Sequence, residues 1–400
     1  MKVVVLGGSS VASPALVLAL TRSRLQDVEV VLVGRSAEKL GVVGRACAIA
    51  AGPHVRVTTS TAPEQAMAGA DAILNQVRVG GLAAREFDET YPTQFGLIGE
   101  ETLGAGGFFN ALRTIPVVLQ YARMAEREAP DAWFINVTNP AGMVASAVHR
   151  TTKLKTFSVC DVPRTLLAGL QETLGSDLEW DWLGVNHVGW LTGLRRRGTD
   201  QSLMGEAIDA AARWPLSPFA VEDVRAMQAI PSPYIRYLLY PHRYRPQSSQ
   251  SRSRATDLKE LEAELLQQYR TLSAASPSSA ASLVQRRGAH WYDQAVVPVL
   301  DALFRENPET MTLQIPDRDT ALERPVQVSR SGIAVRPPWA PIPQDAAAWL
   351  GILRTYESLA VEAILTGERA KAIRALAINP MVGDWDIARQ LVEAVWRDSR

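Results

Sequence analysis

Lys2-Val-Val-Val-Leu6, followed by Gly7-Gly8-Ser9-Ser10, opens the chain and decides its fold. A short run rich in β-branched residues predicts a buried strand, and the two glycines predict a tight turn. Pro14 then opens a helical pattern over residues 15–25. A strand, a tight turn and a helix in this order are typical of the first unit of a dinucleotide-binding fold.

The same alternation continues to about residue 160. Ser36 is placed to cap a helix after the second strand, and residues 111–129 predict a long helix. Further buried strands are predicted at residues 28–33, 55–59, 72–77, 132–137 and 156–159. Strands that alternate with helices predict a doubly wound, parallel sheet of the Rossmann type.

Beyond residue 160 the pattern changes. Residues 180–188 and 190–195 predict two paired strands, and the remainder is mostly helical. We therefore predict two domains: residues 1–155 bind a dinucleotide, and residues 156–400 form an α+β, mostly helical domain for substrate, metal and oligomerisation. The serine-rich stretches 246–254 and 273–282 are expected to be mobile.

The composition is that of an ordinary globular protein. The 42 basic residues are balanced by 42 acidic ones, which argues against a nucleic-acid binder. Two cysteines cannot form a disulfide framework, so a reducing compartment is expected. With no signal peptide and no apolar run of about 18 residues, the sequence predicts a cytoplasmic protein that does not span a membrane.

The first turn is the candidate dinucleotide site. Small residues at a helix start let backbone N–H groups approach a phosphate closely, and Gly7, Gly8, Ser9 and Ser10 supply them. The turn departs from G-x-G-x-x-G, since Ser9 and Ala12 occupy its later positions. A tight turn without a ligand is the alternative, and the position at the start of the alternating pattern favours the dinucleotide.

The end of the second strand leaves NAD and NADP as alternatives. An acid at this place binds the adenosine ribose of NAD, but the chain has Gly34-Arg35-Ser36. Arg35 and Ser36 are able to accommodate a 2′-phosphate, which favours NADP. Equally, Arg35 can stack on adenine or lie in solvent.

Cys160 and His187 are candidate metal ligands. Thiolate and imidazole suit a borderline-soft divalent metal, although each residue alone is more often part of the core. Both lie at predicted strand ends near Asn139, and ligands bind at that edge of an open α/β sheet. A redox cofactor beside a metal indicates redox chemistry on a hydroxyl-bearing substrate.

Three further polar residues follow predicted strand ends. Arg78 and Arg85 are able to clamp a carboxylate or a phosphate, and surface salt bridges are the alternative. Asn139 carries a carboxamide that suits sugar hydroxyls, although Asn-Pro also starts turns.

These segments, in this order, resemble glycoside hydrolase family 4, the NAD- and metal-dependent glycosidases, over essentially the whole chain. Cys160 and His187 match the two metal-ligand positions of the family, and Tyr234 matches its catalytic tyrosine. The other matching motifs are at residues 7–14, 78–80, 99–107, 139–141, 254–255 and 287–292.

The resemblance implies a fold like that of lactate and malate dehydrogenases and hydrolysis of β-glucosides, in particular 6-phosphorylated ones. In the family mechanism NAD⁺ removes hydride from C3 of the sugar, Tyr234 takes the C2 proton, the aglycone is eliminated, water adds to C1 and hydride returns. Asp161 would protonate the leaving oxygen, and Cys160 and His187 would hold Mn²⁺ or another divalent metal. The implied substrate-binding residues are Arg78, Arg85, Glu101, Asn139, Asn186 and Arg254.

Several positions depart from the family pattern. Gly34 replaces the acid after the second strand, and Ser9 replaces a glycine. Glu100 stands where the family usually has Gln, and Asp161 where many β-specific members have Asn. Two alternatives follow: a lactate/malate-type dehydrogenase with net NAD(P) turnover, and a relative that no longer binds the cofactor. A homodimer or homotetramer is expected by analogy.

Overall fold

A computed structural model describes residues 1–212, 218–246, 252–272, 282–283 and 286–396. The twelve strands of this part of the chain belong to one sheet. Most of the two serine-rich stretches expected to be mobile lies outside the described residues.

The first half of the sheet is parallel. Its strands are β1 (Lys2–Leu6), β2 (Val28–Val33), β3 (Val55–Ser60), β4 (Ala72–Asn75), β5 (Trp133–Asn136) and β6 (Lys155–Ser158). They pair in the order β3-β2-β1-β4-β5-β6, which reverses direction between β1 and β4. Open α/β sheets bind ligands at such a switch point, outside the carboxyl ends of the strands.

Helices cover both faces of the parallel strands. Val3 and Val5 pack in one core, and Val4 and Leu6 pack in another, because successive strand side chains point to opposite faces. The helices are α1 (Ser13–Arg22), α2 (Ala37–Ala50), α3 (Pro63–Met67), α4 (Gly81–Thr90), α5 (Gly104–Glu128) and α6 (Ala141–Thr151). The predicted doubly wound sheet is confirmed.

Helix α5 begins seven residues before the predicted helix, at Gly104 instead of residue 111. Its first turn contains Gly106 and Gly107, which lie before the predicted helix. A Cβ at Gly106 would lie 2.3 Å from the Asp88 carbonyl oxygen, and one at Gly107 would lie 2.1 Å from the Thr102 carbonyl oxygen. Close packing therefore requires these glycines inside the helix.

The second half of the sheet is antiparallel. Its strands are β7 (Leu178–Val185), β8 (Val188–Arg196), β9 (Ile230–Pro231), β10 (Glu309–Asp317), β11 (Thr320–Ser329) and β12 (Gly332–Val335). The β10–β11 hairpin joins β6 to β7, and β12 pairs with β11. The predicted pair at 180–195 is the β7–β8 hairpin. The sequence analysis missed β10–β12, because Glu323, Arg324 and Pro325 interrupt the apolar pattern of β11.

Helices complete the second half. They are α7 (Val162–Leu174), α8 (Met204–Ala212), α9 (Val221–Met227), α10 (Arg236–Leu239), α11 (Pro241–Tyr244), α12 (Arg254–Thr271), α13 (Val297–Phe304), α14 (Gln344–Thr366), α15 (Arg369–Ile378) and α16 (Trp385–Val395). Short 3₁₀ helices span Tyr91–Phe95 and Pro233–Ile235, and a π-helical turn spans Tyr292–Val296. Among the described residues, none of the helices combines the length and the apolar character needed to cross a membrane.

Helix α12 returns to the dinucleotide half and fixes the position of the site. The Tyr269 hydroxyl donates to the Val11 carbonyl oxygen at 2.9 Å. Glu262 pairs with Lys39 of α2, and the Glu89 carboxylate of α4 accepts from the backbone N–H of Ala255 at 2.8 Å. The helix therefore lies along one side of the space above the parallel strands.

Candidate active site

A cavity of about 680 Å³ opens at the carboxyl ends of the parallel strands. It extends from the turn after β1 to the loops that follow β6 and β7. The predicted site residues that line it are Gly7, Ser9, Ser10, Arg35, Arg78, Arg85, Glu101, Asn139, Cys160, Asp161, His187 and Arg254. Gly8, Asn186 and Tyr234 are not among its lining residues.

The turn after β1 forms a narrow backbone cradle. Gly7 has φ of +80°, and a Cβ there would lie 2.8 Å from the Gln76 carbonyl oxygen. A Cβ at Gly8 would lie 2.7 Å from the Leu32 Cβ, so Gly8 serves the packing of the turn on β2. The open side of this cradle faces the cavity through Ser9 and Ser10, and the small residues there fit a bound dinucleotide phosphate.

Cys160 and His187 come to the same cavity from different loops. Cys160 follows β6, and His187 lies in the two-residue turn between β7 and β8 with φ of +68°. The Ser232 hydroxyl donates to the His187 carbonyl oxygen, which holds this turn against the segment after β9. The placement agrees with the expectation that both residues lie at strand ends.

The chemistry of these two residues fits a metal. His187 Nδ1 is buried and has no hydrogen-bond partner among the described residues. Burial lowers the pKa of His187 to about 4, so the imidazole is neutral near pH 7, which is the form that binds metals. Burial, Glu323 and Asp161 raise the pKa of the Cys160 thiol, and a bound cation would reverse that effect. The described residues contain no cluster of three or more such ligands, so other ligands would come from substrate or water.

Tyr234 stacks on the His187 imidazole, with ring centroids 4.1 Å apart. Burial raises the pKa of the Tyr234 hydroxyl above its ordinary value, and Glu100 and Cys160 raise it further. The Arg236 guanidinium lies 5.7 Å from the Tyr234 ring. A phenol in this environment becomes a base near neutrality only with an additional cation beside its oxygen.

Asp161 lies next to Cys160, at the start of α7. Burial raises its pKa, while its own backbone N–H and His290 act in the opposite direction. A carboxyl group with a raised pKa keeps its proton at higher pH and is suited to act as a general acid.

Arg78, Arg85, Arg254 and Arg287 line the cavity together with the Glu101 carboxylate, and we call this group the arginine wall. The Glu101 carboxylate pairs with Arg78 Nη1 at 2.5 Å and with Arg85 Nη1 at 2.8 Å. Burial raises the pKa of Glu101, but the two guanidinium groups outweigh it and hold this pKa below its usual range. Burial and the guanidinium groups of Arg78, Arg85 and Arg254 lower the pKa of Arg287, which also lines the cavity. The Glu89 carboxylate also pairs with Arg85 at 2.7 Å, and Asp257 pairs with Arg254 at 3.8 Å. Four arginines against these two carboxylates and Glu101 leave the wall with one excess positive charge.

Two predicted polar residues have mainly backbone partners. The Asn139 carbonyl oxygen accepts from Asn110 Nδ2 at 2.9 Å, which fixes the loop after β5. Asn186 Oδ1 accepts from the backbone N–H of Ala141 at 2.8 Å, and its buried Nδ2 has no partner among the described groups. Substrate contacts by these two residues remain predictions.

Glu100 does not line the cavity. Its carboxylate accepts from the backbone N–H groups of Thr102 and Leu103, both at 2.6 Å. Burial and the neighbouring Glu101 raise its pKa to about 7. Glu100, where the family usually has Gln, therefore places a carboxyl group against the backbone just before α5.

Sequence reasoning missed several cavity residues. Arg287 stacks on Trp291, 5.4 Å from the ring centre, and the Tyr292 hydroxyl donates to the Gln76 side-chain oxygen. Lys39 and Glu262 meet at the other end of the cavity. The Arg-Gly-Ala-x-aromatic run at 287–292 was a usable signal for Arg287. The Lys39–Glu262 pair joins helices more than 200 positions apart in the chain and has no local signal.

Known proteins match this chain over nearly its whole length. The chain is 29% identical to the probable 6-phospho-beta-glucosidase of Bacillus subtilis, over 98% of this chain and 95% of that protein. It superposes with a TM-score of 0.89 on the 6-phospho-beta glucosidase of Thermotoga maritima, solved with manganese, NAD⁺ and glucose-6-phosphate. That protein is 26% identical, and the match covers 99% of this chain and 97% of the other.

A more distant structure supports the fold alone. Malate dehydrogenase of Cryptosporidium parvum superposes with a TM-score of 0.53 at 12% identity, over 90% of this chain and 99% of that one. The expected likeness to the lactate/malate dehydrogenase fold is thus confirmed.

Two family models cover most of the sequence. The model of the family 4 glycosyl hydrolases matches residues 2–176, and that of the family 4 C-terminal domain matches residues 182–382. The resemblance inferred from the motifs is confirmed, and the chain belongs to family 4 of the glycosyl hydrolases.

Proposed function

We propose that this chain hydrolyses 6-phosphorylated β-glucosides with a nicotinamide dinucleotide and a divalent metal such as Mn²⁺. The observation that carries the proposal is the shared cavity, which brings together the phosphate-binding turn, Cys160 with His187, and the arginine wall. The Bacillus subtilis relative is named a probable 6-phospho-beta-glucosidase, and the Thermotoga maritima relative was solved with glucose-6-phosphate.

The arginine wall is the proposed 6-phosphate site. Arg78 and Arg85 already share the Glu101 carboxylate at 2.5 and 2.8 Å, so they are held in place before a substrate arrives. Arg254 and Arg287 extend the positive surface. A phosphate dianion compensates the excess charge of this wall, and arginine offers it paired donors in a fixed geometry.

Cys160 and His187 are the proposed metal ligands, with sugar oxygens completing the coordination. When bound, the dinucleotide accepts and returns a hydride at C3, and the metal polarises the sugar oxygens. Tyr234 takes the C2 proton, which the C3 ketone makes acidic. The stacking on His187 keeps the Tyr234 hydroxyl near the place of the metal, where a cation is needed to lower its pKa.

Asp161 is the proposed proton donor to the leaving oxygen. Burial raises the pKa of Asp161, which favours the protonated form that a general acid needs. After the aglycone leaves, water adds to C1, and the C2 carbon regains a proton. Hydride then returns to C3, so the dinucleotide is unchanged after each turnover.

A panel of nitrophenyl α- and β-glycosides, with and without a 6-phosphate, tests this function. The protein is assayed with Mn²⁺, a reductant, and NAD⁺ or NADP⁺. We expect release of nitrophenol from the 6-phospho-β-glucoside without net reduction of the dinucleotide. Accumulation of reduced dinucleotide in proportion to product would indicate a dehydrogenase instead. Absence of dinucleotide binding in calorimetry would indicate a relative that has lost its cofactor.

The domain division and the assembly of the chain are proposed separately. We place the division between a dinucleotide domain and a substrate domain near residue 155, because pairing changes from parallel to antiparallel after β6. We also propose a homodimer or homotetramer in the cytoplasm. Sedimentation of the purified protein tests the oligomeric state, and a single monomeric species would contradict it.

A further inference from the structure

We propose that this chain binds NADP⁺ in preference to NAD⁺, an inference that rests on the dinucleotide-dependent function proposed above. It concerns the end of the cavity between β2 and α2, where the adenosine ribose of a dinucleotide in this fold lies. Three features of that end, two of them centred on Gly34, bear on it.

The first feature is the missing carboxylate. An acid after the second strand selects NAD because it accepts a hydrogen bond from the ribose 2′-hydroxyl, and it repels a 2′-phosphate. Gly34 stands there, lines the cavity, and donates its backbone N–H to the Ser60 carbonyl oxygen at 3.2 Å. The acceptor for a free 2′-hydroxyl is therefore absent at this position, and so is the repulsion of a phosphate.

The second feature links Gly34 to the phosphate-binding turn. A Cβ at Gly34 would lie 3.2 Å from Ser9 Oγ and 3.2 Å from Leu40 Cδ1. Such contacts are tighter than ordinary van der Waals distances, so the Ser9 side chain takes part of the room that a larger residue 34 would need. Ser9 and Gly34 therefore depend on each other, and the two departures from the family pattern form one feature.

The third feature is the charge around the vacant position. Arg35 is exposed, lines the cavity, and forms no ion pair with the residues that the structure describes. Lys39 lines the same end and pairs with Glu262. Ser36 Oγ accepts from the Lys39 backbone N–H at 3.2 Å, which leaves its hydroxyl proton to donate.

These side chains match a phosphate better than a hydroxyl. Two cations and one carboxylate leave a net positive charge that a 2′-phosphate neutralises, and charge-assisted hydrogen bonds to phosphate are stronger than neutral ones. Glu262 cannot replace the missing acid without giving up its pair with Lys39. The balance of charge thus favours the phosphorylated dinucleotide.

Calorimetric titration of the full-length protein with NADP⁺ and NAD⁺, without substrate, tests the inference. We expect NADP⁺ to bind at least roughly tenfold more tightly, the lower range for one charge-assisted contact. Arg35→Gln should weaken NADP⁺ binding roughly tenfold to a hundredfold and leave NAD⁺ binding nearly unchanged. Arg45→Gln is the matched control, since Arg45 is exposed on α2, the helix that follows Arg35, and does not line the cavity; it should change neither affinity.

The reverse exchange sharpens the test. The double variant Ser9→Gly/Gly34→Asp should gain NAD⁺ affinity and lose NADP⁺ affinity, whereas Gly34→Asp alone should gain less, because Ser9 still crowds the new side chain. Thermal melting of each variant checks that the fold is retained.

The inference is overturned if NAD⁺ binds as tightly as NADP⁺, if Arg35→Gln weakens both equally, or if neither binds. Its failure is distinguishable from failure of the proposed function. Hydrolysis of 6-phospho-β-glucosides with NAD⁺ only would contradict this inference and support that function. Preferential NADP⁺ binding without hydrolysis of any phosphoglycoside would support this inference and contradict that function.

Discussion

Two buried polar clusters lie in the same sheet and differ in how they are held. The amide cluster, Asn75, Asn136 and Ser158, lies at the ends of the parallel strands β4, β5 and β6. Asn136 Oδ1 accepts from Asn75 Nδ2 at 2.7 Å, and Asn136 Nδ2 donates to Ser158 Oγ at 2.9 Å. The Ser158 hydroxyl in turn donates to the Ala141 carbonyl oxygen at 2.7 Å.

The acid cluster, Gln314, Glu323 and Glu357, lies between the antiparallel strands and α14. Glu323 accepts from Gln314 Nε2 at 2.8 Å and from Trp182 Nε1 at 3.0 Å. Gln314 Oε1 and Glu357 Oε2 are buried and have no hydrogen-bond partner among the described groups. Burial raises the pKa of Glu323 to about 7 and that of Glu357 to about 8.

The difference shows how each half supports the site. The amides and the hydroxyl of the amide cluster stay neutral at acid and alkaline pH, although Asn75 Oδ1 is buried without a hydrogen-bond partner among the described groups. Buried carboxyl groups change charge near neutrality, and their ionisation opposes the fold. The amide cluster therefore holds the ends of the parallel strands at either pH, while the acid cluster makes the antiparallel half sensitive to pH.

The largest expected effect separates chemistry from cofactor binding. Tyr234, which follows β9, is the proposed base, so Tyr234→Phe should slow exchange of the substrate C2 proton by roughly 10²–10⁴-fold. Dinucleotide affinity should not change, since the binding turn lies in the other half. NMR measurement of deuterium incorporation at C2, with calorimetry of the dinucleotide, checks both. Tyr237→Phe is the matched control and should leave the exchange rate unchanged. The Tyr237 hydroxyl accepts a hydrogen bond from Arg236 Nη2 at 2.8 Å. Unchanged exchange in Tyr234→Phe would remove this residue as the base.

The next effect concerns the amide cluster. Asn136→Ala leaves Asn75 Nδ2 without its partner and removes the donor to Ser158 Oγ, which keeps its own bond to the Ala141 carbonyl oxygen. A buried group left unpaired costs about 1–3 kcal/mol. We expect a loss of about 3 kcal/mol in the free energy of unfolding, equal at pH 5 and pH 8. Urea denaturation at both pH values measures it. Thr59→Ala, at an exposed position of β3, should cost within about 0.5 kcal/mol. A loss that varies with pH would break the distinction between the clusters.

The stability contributed by the acid cluster, unlike that of the amide cluster, should depend on pH. Burial raises the folded-state pKa of Glu357 to about 8 from an ordinary value of 4.5. The unfolded chain therefore releases this proton before the folded chain does, and the stability contributed by neutral Glu357 is lost as pH rises from 4.5 through 8. Glu357→Gln should raise the free energy of unfolding on the order of 2 kcal/mol at pH 8. The increase should be small at pH 4.5.

Thermal melting from pH 4.5 to pH 8 measures this gain. Asp345→Asn, at an exposed position of the same helix, provides the control and should show no growth of its effect with pH. A Glu357→Gln effect that is constant over this range would mean that Glu357 ionises normally.

The same contrast explains what the sequence predicted. The strand, turn and helix of residues 2–22 were found because their signals are local: β-branched residues, adjacent glycines and a proline. Cys160, His187 and Arg78 were found through motif order, since each directly follows a strand or lies in a hairpin turn. Their roles remain predictions, but their common cavity is in the structure.

The groups that were missed depend on distant packing. The residues next to Glu323 and Glu357 in the sequence do not indicate that these acids are buried. Only the tertiary fold buries them. The Lys39–Glu262 pair requires α12 to lie against α2. Arg287 belongs to the motif at 287–292, which was a usable signal, but only the fold shows that it joins the arginine wall.

The smallest expected effect lies within the acid cluster itself. Gln314 makes one side-chain hydrogen bond, from Nε2 to Glu323, and its buried Oε1 has no partner among the described groups. Gln314→Leu loses the bond but also removes the unpaired oxygen, so the loss at pH 5 should be about 1 kcal/mol or less. Above pH 7 the loss should grow, because the donor lowers the pKa of Glu323 and stabilises its ionised form. Urea denaturation at pH 5 and pH 8 compares the two. A loss as large as that of Asn136→Ala, and equal at both pH values, would show that the two clusters are held in the same way.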